Sequence, residues 1–262
     1  DFGGVWGSDK DHAEAVQSGA LDMYIGSTVG ADAVVNEIGF VNLPYLVTTY
    51  DVVDNLIYNG WIGETITKDM ENAGFKMLGM TDCDFRWISN SKRAIESAAD
   101  IKGLKMRVPE SSLYVDTFRM LGAAPTPLAT GEIYTAIDTG VVDGVENTPD
   151  GCLHLSWFEV APYFNKTNHL NAPTTFSMSA SVFDKLNDDE KNLLLQAGLD
   201  ASHYGLESTK TSDAENRKAL EEKMTFVDSD VESMRAMIDY NAYDFMQSDE
   251  AKKLFELVQK NK

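Results

Sequence analysis

The spacing of apolar and polar residues changes repeatedly along the chain, between short apolar runs and longer segments with helical spacing. The apolar runs are typical of strands: LDMYIGS (21–27), FKMLGM (75–80), FRWIS (85–89), LKMRV (104–108) and VVDGVEN (141–147). The segments between them begin with polar capping residues and end at glycines, which indicates helices. This alternation predicts an α/β fold with largely parallel sheets.

The last third of the chain has a different pattern. The segment from Asn187 to Met224 is predicted to be mostly helical, with an intermittent apolar stripe. A helix of that length must either cross more than one layer of the molecule or bend. Two further helices are predicted within residues 233–247 and 250–260. No Pro-, Gly- or Ser-rich linker divides the chain, so two lobes would be joined without flexible tethers.

The charge distribution narrows the class of ligand. The formal net charge is −20, from 42 acidic and 22 basic residues, and a field of that sign repels nucleic-acid phosphates and anionic lipid surfaces. We therefore expect neither nucleic-acid binding nor membrane insertion, and no apolar run is long enough to span a bilayer. Six basic residues nevertheless lie between positions 86 and 107. They either build one anion site or are solvated charges on helices and loops.

Candidate binding residues lie at the ends of predicted strands, where ligands bind in open α/β sheets. They are Ser27, Arg86, Arg107, Glu146 and Asn147. Each also has a purely structural interpretation. Arg107 could pair with a surface acid, Asn147 could cap a helix, and Ser27 could be a turn residue. Glu146 could be the buried partner of an arginine.

Motifs for catalysis do not stand out in the sequence. HExxH, GxSxG, P-loop and GxGxxG patterns are missing, so we expect no enzyme, although a lyase acting on an organic acid stays open. Cys83 and Cys152 are too few for a disulfide framework. They form either one disulfide, in an extracytoplasmic protein, or two buried thiols. No signal peptide precedes Asp1, so the chain is cytoplasmic or its leader has been removed.

The central part of the chain carries a specific resemblance. The run GLKMRVPESSLYVDTFRMLGAAPTPLATGEIYTAIDTGVVDGVENTPD (103–150) resembles the signature of tripartite ATP-independent periplasmic (TRAP) transporter solute-binding proteins. An arginine before Val-Pro, the Leu-Gly-Ala-x-Pro-x-Pro turn, a Glu-x-Tyr-x-Ala helix and a Val-Asp-Gly-x-Glu strand follow in order. FRWISNSKRAIESAADIKG (85–103) and FEVAPYFNKTNH (158–169) resemble the flanking elements, so the similarity extends over essentially the whole chain.

The resemblance implies a two-lobed α/β periplasmic-binding-protein clamp with a long helix that spans both lobes. We expect residues 1–84 with 173–212 in the first lobe, and residues 85–172 with 213–262 in the second. The protein is then a periplasmic monomer that hands a small organic acid to the subunits of a TRAP membrane permease. Family members normally begin with a strand, a helix and most of a second strand, which precede the segment matching FGGVWGSDKDH (2–12). The first lobe is therefore expected to be truncated.

The same resemblance implies a set of ligand contacts. Arg107 is expected to hold the ligand's carboxylate through a planar two-point contact. The other residues that match pocket or cleft positions are Arg86, Trp87, Glu146, Asn147, Ser27, Asp9 and Asn171. Thr130 stands where some relatives place an aromatic that packs on the ligand. Trp87 or Phe176 would have to replace that aromatic.

The nature of the ligand follows in outline from these residues. Two arginines in one pocket would repel a cation, so we expect no metal ion and no other cofactor. Arg86 and Arg107 together indicate an anionic ligand, and Asn, Glu and Ser side chains offer partners for hydroxyl groups. A sugar acid such as a uronate is the first expectation. A dicarboxylate or a sulfonate is the alternative within this class, and a ligand-sensing module for a membrane receptor is an alternative outside it.

Overall fold

Strands of the protein form two sheets in the computed structural model, which describes residues 7–58, 60–82, 84–171 and 173–260. The small sheet has the strand order β1-β8-β2, and the large sheet has the order β5-β4-β6-β3-β7-β9. The strands are Met23–Ser27 (β1), Phe75–Thr81 (β2), Phe85–Asn90 (β3), Lys105–Val108 (β4), Ala124–Pro127 (β5), Gly144–Asn147 (β6), Tyr163–Asn171 (β7), Thr174–Ser179 (β8) and Thr225–Asp228 (β9).

Helices pack around both sheets. The α-helices are Asp9–Gln17 (α1), Thr28–Asp32 (α2), Tyr50–Val52 (α3), Trp61–Asn72 (α4), Ala98–Ile101 (α5), Ser112–Met120 (α6), Ile133–Asp138 (α7), Pro149–His154 (α8), Ala180–Phe183 (α9), Asp188–Glu221 (α10), Val231–Arg235 (α11) and Asp249–Lys260 (α12). Shorter 3₁₀ segments are Asn36–Asn42, Thr130–Glu132, Trp157–Glu159, Tyr240–Ala242 and Asp244–Gln247, and Val53–Tyr58 is a π-helix. In the described part of the chain, no helix combines the length and the apolar character needed to cross a bilayer.

The helix predicted within residues 233–247 is wrong. The chain there forms α11 and then two separate 3₁₀ segments. The Asp239 side chain accepts a hydrogen bond from the backbone amide of Asn241 at 3.0 Å, and such a local bond favours a turn over a continuous helix. Tyr243, which is 1% exposed, then packs inward with its hydroxyl 2.7 Å from that of Thr117.

Strand directions also differ from the expectation. Strand β4 runs parallel to β5 and β6, and β7 runs parallel to β9, but the other pairs are antiparallel. The expectation of largely parallel sheets is therefore wrong. Strand β3 follows β2 of the other sheet in the chain, and β8 follows β7 of the other sheet. These strands are therefore not placed by the helical crossovers that parallel neighbours within one sheet require.

Helix α10 contacts both sheets. It has 34 residues, or roughly 50 Å at about 1.5 Å per residue. Gly198 lies so close to β2 that a Cβ there would come within 2.2 Å of the Leu78 carbonyl oxygen. Further along, Asn216 donates to Asp150 of α8 at 3.1 Å, and Leu220 belongs to the hydrophobic cluster on the large sheet. The predicted long helix is thus confirmed as one element that spans both halves of the molecule.

Hydrogen bonds between buried polar groups stabilise the region where the chain passes from one sheet to the other. Asn171 donates to the Asp82 carboxylate at 2.8 Å, and Thr209 of α10 donates to the Asp82 carbonyl at 3.1 Å. Asp84 adopts a positive φ of 73°, which is unusual for a residue other than glycine. The Tyr50 hydroxyl donates to its carboxylate at 2.5 Å. Cys152 is a buried free thiol, whereas Cys83 and residues 1–6 lie outside the described residues.

Candidate ligand-binding site

Arg107 lies at the C-terminal end of β4, as the strand pattern predicts, and its side chain is almost completely buried. Only 4% of the residue is exposed. Its Nε and Nη2 atoms donate to the Leu128 carbonyl oxygen at 2.8 and 2.6 Å. These two bonds occupy the side edge of the guanidinium plane, so the end edge formed by Nη1 and Nη2 keeps hydrogens for a second acceptor.

The charge state of Arg107 depends on its surroundings. Burial lowers the pKa of Arg107, the Glu146 carboxylate partly opposes that fall, and Arg86 adds to it. The net result is a pKa of about 10. A pKa of about 10 still leaves the guanidinium charged at neutral pH. The side chain therefore presents a nearly desolvated cation whose existing acceptor is a neutral carbonyl.

A narrow cleft with a volume of about 20 Å³, roughly the room for one water molecule, opens at Arg107. One wall is formed by the N-terminal end of α1 and by α2, and the other by the turn after β4 and the segment 128–130. The lining residues are Ser8, Asp9, Lys10, Val29, Gly30, Arg107, Pro109, Glu110, Leu128, Ala129 and Thr130. The cleft thus lies between helices next to the small sheet and a strand of the large sheet.

Acidic residues share this cleft with the arginine. After Glu146, the carboxylates of Asp9 and Glu110 also raise the pKa of Arg107, which shows that both lie within electrostatic range of the guanidinium. Lys10 lines the cleft too, but its ammonium is 3.7 Å from the Glu14 carboxylate one turn along α1. The cleft therefore carries charges of both signs rather than a uniformly positive field.

Arg86 and Glu146 form a buried ion pair beside Arg107. Arg86 donates from Nε to Glu146 Oε2 at 2.5 Å and from Nη2 to Oε1 at 2.7 Å. His169 Nε2 lies 3.2 Å from the same Oε2. Burial lowers the pKa of His169. Burial opposes ionisation of Glu146 as well, yet Arg86 and His169 hold the pKa of Glu146 below its usual value. Glu146 thus pairs directly with Arg86, whereas the carboxylates that act on Arg107 from the described residues do so without a direct hydrogen bond to it.

Other residues predicted from the sequence lie elsewhere in the described structure. Asn147 ends β6, and its side chain accepts from the amide of Thr148 at 2.8 Å. Ser27 precedes α2 without a side-chain cap bond. Asn171 bonds Asp82 at the connection between the sheets. None of these side chains lines the cleft at Arg107.

Trp87 belongs to a separate aromatic cluster. Its ring packs 4.9 Å from that of Phe164 and 5.8 Å from that of Phe226. The guanidinium of Arg217 from α10 stacks on it at 4.4 Å, and its Nε1 donates to Asn168 at 2.6 Å. With 2% of its surface exposed, Trp87 is a core residue of the large sheet in this structure, apart from the Arg107 cleft.

Three features of the cleft were missed from the sequence. The carbonyl oxygen that orients Arg107 belongs to Leu128, and a backbone acceptor leaves no signal in residue identity. Glu110 follows Pro109 and reads as an ordinary exposed acid. Tyr24 lies on a strand whose exposed neighbours hide the fact that its own side chain turns toward the cleft helices.

Asp32 is a buried carboxyl group at the edge of the cleft. Its Oδ2 accepts from Asn42 at 2.9 Å and from the hydroxyl of Ser111 at 3.3 Å. Ser111 precedes α6, directly after the Pro109–Glu110 wall of the cleft. Burial raises the pKa of Asp32 to about 7, and the two hydrogen bonds only partly oppose that rise.

We expect Asp32→Asn to remove a pH dependence of stability. Below its unfolded pKa of about 3.9, the Asp32 carboxyl is protonated in both the folded and the unfolded state and costs no stability. As pH rises toward the folded pKa of about 7, ionisation favours the unfolded state, so the free energy of unfolding falls. A shift of this size corresponds to roughly 4 kcal/mol as an upper bound. Urea unfolding at several pH values between 4 and 8 should show the wild type losing free energy of unfolding relative to the variant.

Asp116→Asn is the control, because Asp116 is an exposed partner of Arg119 on α6. It should leave the wild-type pH slope unchanged. Parallel slopes for Asp32→Asn and the wild type would show that Asp32 ionises normally in the folded protein.

Comparisons with known proteins identify the family of this chain. The family model for bacterial extracellular solute-binding protein, family 7 (DctP) matches residues 3–249. The chain belongs to this family. A solute-binding protein of Roseobacter denitrificans is 33% identical over 235 residues, which cover 88% of this chain and 70% of the relative. The resemblance seen in residues 103–150 is thereby confirmed.

Solved structures confirm the fold class. A TRAP periplasmic solute-binding protein from Sulfitobacter sp. NAS-14.1, with bound β-D-galacturonate, has a TM-score of 0.93 and 28% identity, covering 98% of this chain and 86% of that one. A TRAP periplasmic solute-binding protein from Roseobacter denitrificans, with bound β-D-glucuronate, has a TM-score of 0.92 and 29% identity, covering 98% and 85%. The protein therefore shares the TRAP clamp fold, and its family is one of solute-binding proteins rather than enzymes.

Proposed function

We propose that this protein captures a small organic acid outside the cytoplasm, in particular a sugar acid such as a uronate, and delivers it to a TRAP membrane permease. The observation that carries the proposal is Arg107. Its buried guanidinium lines the cleft, its side edge is fixed by the Leu128 carbonyl, and its end edge has hydrogens left to donate. Similarity to two proteins with bound uronates supports the same ligand class.

Physical chemistry favours a carboxylate at this position. Desolvating a guanidinium costs several kcal/mol unless a charged partner compensates, and Leu128 supplies only a neutral carbonyl. A ligand carboxylate placed on the end edge of Arg107 would accept two charge-assisted hydrogen bonds, each worth about 1.5–3 kcal/mol. The planar two-point contact that the family resemblance implies would use this edge.

The charge balance favours one carboxylate over two. Glu146 already pairs with Arg86, and Lys10, the other cation among the described lining residues, already pairs with Glu14, so a second carboxylate of a dicarboxylate would have to compete for a cation. The other groups lining the cleft include Ser8, Asp9 and Thr130, which suit hydroxyl groups. A monoacid with several hydroxyls therefore fits better than a dicarboxylate or a small sulfonate.

We also propose how the chain divides around the cleft. Residues 1–84 and 173–212 form a lobe around the small sheet, and residues 85–172 and 213–262 form a lobe around the large sheet. Helix α12 packs against the segment Asn36–Asn42, so the C-terminal helix ties the second lobe to the first. Closure of the lobes on the ligand would bring the α1 wall toward Arg107, and binding would then favour the closed state.

A thermal-shift screen with calorimetric follow-up tests the binding proposal. The ligands are D-galacturonate, D-glucuronate, glutarate and isethionate, with D-galactose and the methyl ester of galacturonate as uncharged controls. A uronate at a hundred times its dissociation constant should add about 2.7 kcal/mol, or roughly 5–10 °C in melting temperature. The uncharged controls should give no shift. Equal binding of the methyl ester, or no binding of any acid, would contradict the proposal.

Delivery needs a separate experiment. Cells carrying TRAP permease subunits should take up labelled uronate only when this protein is supplied outside the cytoplasm. A ligand-sensing module would bind the same acid without supporting uptake. That result would favour the sensor alternative over transport.

A further inference from the structure

Two carboxyl groups meet where the chain passes from the small sheet to the large one. Asp84 lies in the connection between β2 and β3 and is 4% exposed, and Asp213 belongs to α10. The guanidinium of Arg217, one turn further along α10, contacts both. Its Nε donates to Asp213 Oδ1 at 2.5 Å, and its Nη2 lies 3.6 Å from Asp84 Oδ1. One cation thus holds Asp84 and Asp213 close together, and these two residues are called the carboxyl pair below.

The Asp84 carboxyl is held in a fixed direction. Its Oδ1 accepts from the Tyr50 hydroxyl at 2.5 Å and from the Phe85 amide at 2.6 Å. The Tyr50 ring in turn packs edge-on against the Phe85 ring, with 5.3 Å between the centroids. Asp84 therefore cannot turn away from Asp213 without breaking these contacts.

Two carboxyl groups that lie this close share a proton more readily than they carry two negative charges. Burial raises the pKa of Asp84, and a side-chain hydrogen bond with Asp213 raises it further, while the hydrogen bonds from Tyr50 and the Phe85 amide partly oppose that rise. The net result is a pKa of about 8. A hydrogen bond between two carboxyl groups needs one proton, because an ionised carboxylate can only accept.

The other charged groups around the carboxyl pair come from three parts of the chain. Lys210 of α10 lies 5.9 Å from the centre of the Tyr50 ring, and its ammonium pairs with Asp54 of the π-helix at 2.5 Å. Burial raises the pKa of Tyr50, which three carboxyl groups raise further: Asp84, Asp213 and Asp82. Arg217 is the cation that contacts both members of the pair. Two negative charges there would face that one positive charge together with the negative charge of Asp82.

The carboxyl pair lies where a movement of the lobes would be felt. Helix α10 contacts both sheets, and Arg217 also stacks on Trp87 of the large sheet at 4.4 Å. Because the chain passes between the sheets at Asp84, a change in the angle between the lobes would shift α10 against this residue. The cleft at Arg107 is narrow in this structure. The two carboxyl groups therefore lie together in an arrangement in which the cleft walls are close.

We propose that Asp84 and Asp213 share one proton when the cleft is closed, and that this proton makes closure of the lobes sensitive to pH. Loss of the proton places two negative charges against Arg217, separates α10 from the β2–β3 connection and favours an open cleft. Neither carboxyl group lines the cleft, so the pair acts on the ligand only through closure. The effect on ligand binding rests on the proposed function, whereas the effect on the lobes does not.

The direction of the pH effect follows from the proton that closure takes up. In the open state a solvated Asp84 would have an ordinary pKa of about 3.9, so between about pH 4 and 8 only the closed state keeps the proton. Closure is therefore fully favoured at acid pH and weakens as pH rises, by up to about tenfold for each pH unit in that window. A carboxylic acid ligand is already ionised above about pH 5 and adds no titration of its own.

Isothermal titration of D-galacturonate into the full chain at pH 5.5 and 8.5 tests the carboxyl pair. Asp84→Asn keeps a neutral side chain that can donate to Asp213, and asparagine tolerates the φ of 73° at this position. The variant should bind as the wild type does at pH 5.5 and at least about tenfold more tightly at pH 8.5. Asp213→Asn should lose the same pH dependence, so the test does not depend on one variant being folded.

Asp200→Asn is the matched control. Asp200 is an exposed residue of α10 whose carboxylate accepts from Gln196 at 2.8 Å, so this variant removes one negative charge from the same helix away from Asp84. Its affinity should follow that of the wild type at both pH values. A constant ratio between the affinities of Asp84→Asn and the wild type at the two pH values would overturn the proposal.

Small-angle X-ray scattering of the ligand-free protein separates this inference from the proposed function. The wild type should have a smaller radius of gyration at pH 5.5 than at pH 8.5, whereas Asp84→Asn should keep the smaller radius at both. If no uronate binds, the proposed function fails and the scattering difference alone decides whether the carboxyl pair controls the lobes. A wild-type radius that does not change with pH would show that it does not.

Discussion

Replacing Arg107 by alanine is expected to weaken uronate binding by at least a hundredfold. The reason is the end edge of the guanidinium, which can donate two charge-assisted hydrogen bonds to a carboxylate from a position that is only 4% exposed. Two such bonds are worth about 3–6 kcal/mol together, which corresponds to roughly 10²–10⁴ in affinity. Isothermal titration of D-galacturonate into the wild type and the variant measures the change directly.

Two further variants sharpen this test. Arg107→Lys keeps the positive charge but loses the planar fork, so it should recover only part of the lost affinity. Arg119→Ala removes an exposed arginine of α6 that pairs with Asp116, and it should bind as the wild type does. An Arg107→Ala variant that binds within threefold of the wild type would show that the guanidinium is structural.

Replacing Glu146 by alanine is expected to cause the largest loss of stability, about 3–5 kcal/mol. Glu146 is fully buried and holds Arg86 through two side-chain hydrogen bonds. Without it, Arg86 loses its buried carboxylate partner beside a second buried cation, Arg107. Urea unfolding of the ligand-free protein at pH 7 gives the free-energy difference.

The double variant Arg86→Met with Glu146→Leu distinguishes the lost charge balance from lost packing. Replacement of a buried ion pair by apolar side chains of similar volume is often neutral or stabilising. The double variant should therefore regain most of the stability that Glu146→Ala loses. A loss below about 1 kcal/mol in Glu146→Ala would mean that water reaches Arg86 and screens its charge.

The sequence predicted strands well where the residues are apolar and poorly where buried residues are polar. Strand β4, with Arg107 at its C-terminal end, lies where the pattern placed it. Strand β8 was missed because it alternates Thr and Ser with larger residues. In the structure, Thr175 and Ser177 donate to the carbonyl oxygens of Gly26 and Tyr24 on β1, at 3.1 and 3.3 Å. Thr and Ser side chains can be buried when their hydroxyls donate hydrogen bonds to a neighbouring strand, and the residue types alone do not show where this happens.

The sequence predicted the places of two charged residues of the candidate site but not their pairings. Arg107 and Glu146 were identified by their place at strand ends, and Glu146 as the partner of an arginine was one of two interpretations. Which arginine it would pair with depends on the order of β3 and β6 in the sheet, which residue spacing alone does not fix. Trp87 was expected near the ligand, yet Arg217 from α10 stacks on its ring, and that contact joins residues far apart in sequence.

The position of β8 at the centre of the small sheet has a consequence for biosynthesis. Strands β1 and β2 both pair with β8 and not with each other. About 90 residues separate Thr81, at the end of β2, from Thr174, at the start of β8. At about 5–20 residues per second, a ribosome needs roughly 5–20 s to make them. During that interval the nascent N-terminal third has no sheet to fold into, so any chaperone or export factor that engages it meets unpaired strands.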